Sequence, residues 1–150
     1  HPVTEAVTGL DLVAEQLRIA AGEPPSFVGS EVPEPQGHAI EFRVYAEDPK
    51  RFLPGPGAIT EWVQPVGDGV RVDAGYEAGN TVTPFYDPLL AKLIVHGANR
   101  QDALAKARVA VDEFKVVGPK NNLPFFAELL DNDEFVRGDY DTGLISRMRG

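Results

Sequence analysis

The sequence has no cysteine among its 150 residues, so disulfide bonds and thiolate chemistry are excluded. No apolar run approaches the roughly 20 residues that a membrane-spanning helix needs, and no signal-peptide pattern is present. These absences fit a reducing compartment. They predict a cytoplasmic protein that has no membrane partner.

Basic residues are also scarce, with 14 Lys and Arg against 23 Asp and Glu and a formal net charge of −9. Proteins that bind nucleic acids or anionic membranes need clustered positive charge, so neither partner is expected. His1 and Glu5 have the spacing of a ligand pair on one helical face. No third ligand lies nearby in the sequence, so a solvated helix end is favoured and no metal site is expected in the chain.

Phosphate loops and nucleophile elbows are missing as well. Gly55-Pro56-Gly57 lacks the lysine and the following helix that a phosphate-binding loop has. The composition that is present, 43% hydrophobic and 25% charged, is ordinary for one soluble globular domain. The chain opens at His1 rather than at a methionine, which suggests a piece of a longer protein.

Apolar residues at helical spacing predict helix over 1–22. Gly9 is expected to separate a short helix from a longer one, which Asp11 caps and Gly22 ends. Segment 23–36 contains four prolines and several acids, a composition typical of an extended linker.

Strand patterns dominate after the linker. In GHAIEFRVYAEDP (37–49), apolar positions alternate with a polar face that carries Glu41, Arg43 and Tyr45. Further strands are predicted over 58–63, 69–75, 80–85, 89–97 (the most apolar) and 114–118.

Helical patterns return in the last third of the chain. Asn99 is the predicted N-cap of a helix over 101–114, and Pro124 lies in the first turn of another over 123–130. A helical turn over 133–136 precedes a tail predicted to be irregular. The pattern predicts an α+β fold, a mostly antiparallel sheet with two or three covering helices, preceded by an N-terminal helical segment.

Two interpretations of Arg43 are open. A solvated sheet face shows the same alternation of polar residues, and the pattern alone favours that reading. An arginine on a rigid strand can also stabilise negative charge in a transition state, because its guanidinium stays charged and offers a planar fork of donors. The loop 47–57 and the Asp-Pro turn at Asp87 are expected to be structural.

Several long segments together resemble the biotin carboxylase family, across nearly the whole chain. The matching segments are HPVTEAVTGLDLVAEQLRIAAG (1–22), GHAIEFRVYAEDP (37–49), FLPGPGAI (52–59), GVRVDAGY (69–76), PFYDPLLAKLIVHG (84–97) and GPKNNLPF (118–125). The resemblance implies that 1–22 is the helical end of an ATP-grasp region, 23–36 a linker and 37–145 the C-terminal domain.

The resemblance implies a reaction, the ATP-dependent carboxylation of carrier-bound biotin by bicarbonate through a carboxyphosphate intermediate. Arg43, followed by AEDP (46–49), stands where the family places an arginine that faces the biotin ureido ring and stabilises its enolate. The family's bicarbonate-binding arginine, its catalytic glutamate and its ligands for ATP and Mg precede the position of His1. The 150 residues alone are therefore expected to lack bicarbonate-dependent ATPase activity.

The resemblance also implies partners: a biotin carboxyl carrier protein or domain, a carboxyltransferase subunit and a second copy in a homodimer. Arg71 matches an arginine in the turn through which family members dimerise. Asp68 stands in that turn where some relatives carry a bulky apolar residue. A carboxylate there costs desolvation unless it is paired, so a weaker or differently arranged dimer is one expectation.

Two other functions stay open. One is the C-terminal domain of a related ATP-grasp ligase of purine synthesis, although HPVTE (1–5) and FRVYAEDP (42–49) fit biotin-dependent carboxylases better. The other is a non-catalytic assembly or dimerisation module, which the acidic composition and the lack of a self-contained catalytic set would fit.

Overall fold

The computed structural model describes residues 1–29 and 33–150, and residues 30–32 of the predicted linker lie outside the described residues. The helices are α1 (Pro2–Thr8), α2 (Leu12–Ala20), α3 (Arg100–Glu113), α4 (Leu123–Leu130), α5 (Asp133–Arg137) and α6 (Leu144–Arg149). The strands are β1 (His38–Tyr45), β2 (Gly57–Ala58), β3 (Glu61–Val63), β4 (Val70–Ala74), β5 (Thr81–Val82), β6 (Leu89–Gly97) and β7 (Lys115–Val117). This mixture confirms the predicted α+β fold.

An antiparallel sheet in the order β1-β6-β4 forms the centre of the structure. The register aligns Phe42 of β1, Leu93 of β6 and Val72 of β4, and these side chains share the sheet face that carries the core. Strand β6 is central, with α3 packed against it from one side and α1 from the other. Burial on both faces explains why β6 is the most apolar strand, as predicted.

Helix α3 covers the core face. Asn99 is its N-cap, as predicted. The side chain of Asn99 accepts a hydrogen bond from the backbone N–H of Asp102 at 3.0 Å. Helix α4 packs beside it and has a proline in its first turn, which suits the position because that N–H has no partner within the helix. The buried residues that these two helices contribute are Ala103, Leu104, Ala107, Ala110, Val111, Leu123, Phe125, Phe126 and Leu130.

The N-terminal segment divides as predicted. Gly9 ends α1 with a left-handed φ of 72°, and Asp11 caps α2 by accepting from the backbone N–H of Ala14 at 2.9 Å. The apolar face of α2 is not covered by the described part of the chain. Val13 and Leu17 are 62% and 67% exposed.

Three sequence predictions need correction. The strand predicted over 58–63 is split into β2 and β3, which pair with different partners, β5 and β7. The strand predicted over 80–85 shrinks to the two residues of β5, and Pro84 beyond it has no N–H to offer a ladder. The tail predicted to be irregular contains α6, which is held by the buried Leu144 and by Arg149 stacked 4.9 Å from the ring centre of Phe125.

No helix in the described ranges is both long and apolar enough to span a bilayer.

Candidate active-site face

Arg43 lies near the end of β1 on the sheet face opposite the core, with 55% of its side chain exposed. The register places Lys92 of β6 directly opposite Arg43, and Asp73 of β4 opposite Lys92. Side chains of paired strand residues share a face, so the three charges form a row across the sheet.

Glu41 stands two residues before Arg43 on the same face and touches both cations of the row. Its Oε1 lies 3.4 Å from Nε of Arg43 and 4.0 Å from Nζ of Lys92. Only 10% of the Glu41 side chain is exposed, and its Oε2 is buried without a hydrogen-bond partner among the described residues. A buried carboxylate is costly unless paired, and the two cations provide that pairing.

The surroundings of Arg43 favour its charged form. Tyr45, as a hydrogen-bonding neighbour, and then the Glu41 carboxylate raise the pKa of the Arg43 guanidinium above its ordinary value. Arg43 is therefore a permanent cation that can bind and stabilise an oxyanion, and it is not suited to transferring protons.

Asn122 fixes the backbone on which Arg43 is carried. The β1–β6 ladder shifts register between Val44 and Tyr45. There Asn122, 5% exposed, donates from Nδ2 to the carbonyl of Arg43 at 3.0 Å and accepts at Oδ1 from the N–H of Tyr45 at 2.9 Å. The sequence analysis missed this role, because Asn122 lies far along the chain and no local pattern links it to β1.

Arg71 lies on β4 on the same sheet face and binds within the chain. It donates to both oxygens of Asp73 at 2.7 Å and to Oε1 of Glu5 at 2.8 Å. Hydrogen bonds from Arg71 and from the N–H of Leu12 lower the pKa of Glu5. This residue, predicted at a dimer interface, thus ties α1 to the sheet.

Asp68 lies in the turn before β4, and its side chain is 98% exposed. Its carboxylate pairs with Nζ of Lys106 at 3.1 Å. No ion pair or hydrogen bond in the described structure joins any two of Asp68, Arg71 and Arg43, so the three predicted site residues have separate sets of partners.

The residues set aside by the sequence analysis have structural contacts. Asp87 accepts from the N–H of Leu89 at 2.8 Å, as expected at an Asp-Pro turn. In the loop 47–57, Phe52 packs edge-on to Phe125 with 5.2 Å between ring centres. The described residues contain no group of three or more His, Cys, Asp or Glu side chains that could hold a metal ion.

Comparison with protein families gives two matches. Residues 41–147 match the model of the biotin carboxylase C-terminal domain. Residues 1–26 match the model of the ATP-binding domain of the carbamoyl-phosphate synthase L chain.

Similar curated proteins are longer than this chain. Biotin carboxylase 2 of Bacillus subtilis is 46% identical over 147 residues, which cover 98% of this chain and 33% of that protein. The biotin-dependent acyl-coenzyme A carboxylase alpha3 subunit of Mycobacterium leprae is 48% identical over 137 residues, covering 91% and 23%. The chain thus spans about a third or less of the length of these relatives.

Solved structures give the same picture. A biotin carboxylase complex with β,γ-ATP from Campylobacter jejuni superposes with a TM-score of 0.92 at 35% identity, covering 98% of this chain and 32% of that one. The biotin carboxylase domain dimer of the Hydrogenobacter thermophilus 2-oxoglutarate carboxylase, in complex with MgADP, ADP and bicarbonate, gives 0.94 at 37% identity with the same coverage.

Proposed function

The chain belongs to the biotin carboxylase family through its residues 41–147, and from that premise we propose that it contributes the Arg43 face to a biotin carboxylase. The reaction is the ATP-dependent carboxylation of carrier-bound biotin by bicarbonate. The observation that carries the proposal is the exposed guanidinium of Arg43 on a rigid strand, beside the buried Glu41. Because the chain spans only part of its relatives, this activity belongs to the whole enzyme that contains it.

In this proposal Arg43 acts on the substrate biotin. Its guanidinium donates hydrogen bonds to the ureido oxygen, where negative charge develops as the ureido nitrogen attacks carbon dioxide. A donor that is already oriented stabilises that charge without reorganising, and removing one such donor costs about 10²–10³ in kcat. Asn122 supports this fixed orientation, because its Nδ2 donates to the carbonyl of Arg43 and its Oδ1 accepts from the N–H of Tyr45.

ATP, Mg and bicarbonate are assigned to other parts of the enzyme. The sequence has no phosphate loop, and the described residues offer no group of metal ligands. Residues 1–26 match only the ATP-binding model, and we propose that α1 and α2 form the junction to that domain.

The test compares Arg43→Ala with Arg51→Ala in the enzyme that contains this chain. Arg51 is exposed in the loop after β1, and its side chain makes no ion pair or hydrogen bond in the described structure. Labelled bicarbonate incorporated into free biotin should fall by about 10²–10³ for Arg43→Ala alone. Bicarbonate-dependent ATP hydrolysis without biotin should persist in both variants. Equal biotin carboxylation by the two variants would refute the role of Arg43, and an enzyme that ignores biotin would point instead to the purine ligase.

We also propose the partners that such an enzyme needs, a biotin carboxyl carrier protein or domain and a carboxyltransferase subunit, in the cytoplasm. One similar protein is named as a subunit of a biotin-dependent acyl-coenzyme A carboxylase, which supports this assignment. A homodimer through the turn that contains Asp68 and Arg71 is proposed as well. The similar Hydrogenobacter domain is described as a dimer, and Asp68 is open to solvent.

A further inference from the structure

Glu41 is an unusual residue to find at a largely buried position on a sheet face. Its side chain is 10% exposed, and Oε2 has no hydrogen-bond partner in the described structure. An uncharged residue of similar size would avoid the desolvation penalty of a buried carboxylate, so stability alone gives no reason for Glu41. A carboxylate kept at such a position points to a functional requirement for its charge.

The charge pattern around Glu41 indicates what that requirement is. Arg43 and Lys92 face each other across neighbouring strands, and two like charges in that position repel. Glu41 lies between them, with Oε1 3.4 Å from Nε of Arg43 and 4.0 Å from Nζ of Lys92. This carboxylate therefore offsets the repulsion between the two cations.

Glu41 contacts one particular nitrogen of the Arg43 guanidinium, and this decides which nitrogens the pair leaves unoccupied. Glu41 contacts Nε, at the inner side of the guanidinium, so this pair does not occupy the outer nitrogens Nη1 and Nη2. Tyr45 is a second hydrogen-bonding neighbour of the same guanidinium. Asp73, the other acid of the row, binds Arg71 through both oxygens and therefore does not compete for Lys92. Lys92 is left to attract Glu41 from the side opposite Arg43.

We propose that Glu41 and Lys92 are positioning residues for Arg43, which hold its outer guanidinium nitrogens toward the ureido group of biotin. Glu41 fixes Nε, and Lys92 holds the carboxylate of Glu41 between the two cations. This inference rests on the proposed function, because it gives the two residues a role only through Arg43.

The test uses Glu41→Gln and Lys92→Met in the enzyme that contains this chain. Their matched controls are Glu61→Gln on β3 and Lys115→Met on β7, both at exposed strand positions. We expect kcat for carboxylation of free biotin to fall about ten- to a hundredfold in the two test variants, since small misplacements of a catalytic group cost that much. Bicarbonate-dependent ATP hydrolysis without biotin should match the controls.

Each possible outcome of this test either supports or overturns a stated part of the proposal. The positioning role would be overturned if the test variants carboxylated biotin as fast as their controls. It would also be overturned if they lost ATP hydrolysis in parallel, because that result would reveal a merely structural role. A loss confined to Glu41→Gln would overturn the part assigned to Lys92. Arg43→Ala is measured alongside, to distinguish failure of this inference from failure of the proposed function. If Arg43→Ala is impaired while the test variants are not, only this inference fails. If Arg43→Ala is unimpaired, the proposed function fails as well.

Discussion

At the scale of single residues, Asn122 holds the backbone of Arg43 in place, as Glu41 is proposed to hold its side chain. It satisfies a carbonyl and an N–H at the point where the register of the β1–β6 ladder shifts. Its own backbone N–H donates to the carbonyl of Tyr45 at 3.2 Å. Asn122 therefore bonds the backbone on both sides of the shift, at Arg43 before it and at Tyr45 after it.

Asn122→Ala should destabilise the chain strongly. The variant leaves the N–H of Tyr45 and the carbonyl of Arg43 without these partners at a half-buried position, at about 1–3 kcal/mol for each unsatisfied group. We expect urea unfolding to show a free energy of unfolding lower by about 2–4 kcal/mol. Gln64→Ala, at an exposed position after β3, serves as the control. A loss no larger than the control's would mean that Asn122 does not support β1.

The position of Arg43 on the polar face of β1 was predictable because strand alternation is local. The hydrogen bond between Asn122 and Arg43 joins residues that are 79 positions apart in the sequence. The pairing of Lys92 with Arg43 depends on the register of two strands. Neither leaves a periodic signal in the sequence. The polar face of β1 was therefore predictable, whereas the residues that organise it from elsewhere were not.

At the scale of elements, the loop after β1 is tied to the loop that carries Asn122. Asp48 accepts from Nζ of Lys120 at 2.8 Å and from the N–H groups of Lys50 and Arg51 at 2.9 Å each. The Lys120 ammonium first, and then the two N–H groups, hold the pKa of Asp48 well below its ordinary value of 3.8. The charged carboxylate thus joins the two loops that bracket the end of β1.

This connection should weaken in acid. The folded-state pKa of Asp48 lies below the unfolded one, so its contribution is fully present above the unfolded pKa and is lost as pH falls through the folded value. The difference in free energy of unfolding between the native chain and Asp48→Asn should be constant from about pH 5 to 7 and shrink below about pH 4. Urea unfolding across this range measures it, with Asp112→Asn on the exposed side of α3 as the control. A difference that stays constant into acid would contradict the assignment.

Helices were predicted more closely than strands for a physical reason. Caps such as Asp11 and Asn99 and the left-handed Gly9 act within a few residues, so their signals are local. The split of 58–63 depends on the distant partners β5 and β7, which the sequence does not reveal.

At the scale of the whole molecule, one apolar surface is left uncovered by the described residues. It is the face of α2 that carries Val13 and Leu17. The α+β fold and the family were predictable because long motifs span the chain. The uncovered face of α2 was not, since helical periodicity indicates an apolar face without saying what packs on it.

If the Asp68 turn forms a homodimer interface, Asp68→Phe should tighten it. The change removes a carboxylate that would lose hydration on association and adds apolar area. Sedimentation equilibrium of the enzyme that contains this chain should give a dimer dissociation constant lower by about tenfold, equivalent to about 1.4 kcal/mol. Asp112→Phe on α3 controls for added surface hydrophobicity. An unchanged constant for Asp68→Phe would place the interface elsewhere.

The proposed function of the whole molecule requires that Arg43 stabilises charge that develops during carboxylation, which is distinct from merely holding biotin. Steady-state kinetics of Arg43→Lys in the enzyme that contains this chain separates the two roles, because lysine keeps the positive charge and loses the planar fork of donors. The proposed function predicts that kcat falls by at least about tenfold while KM for biotin changes by less than about threefold. A raised KM with an unchanged kcat would contradict it.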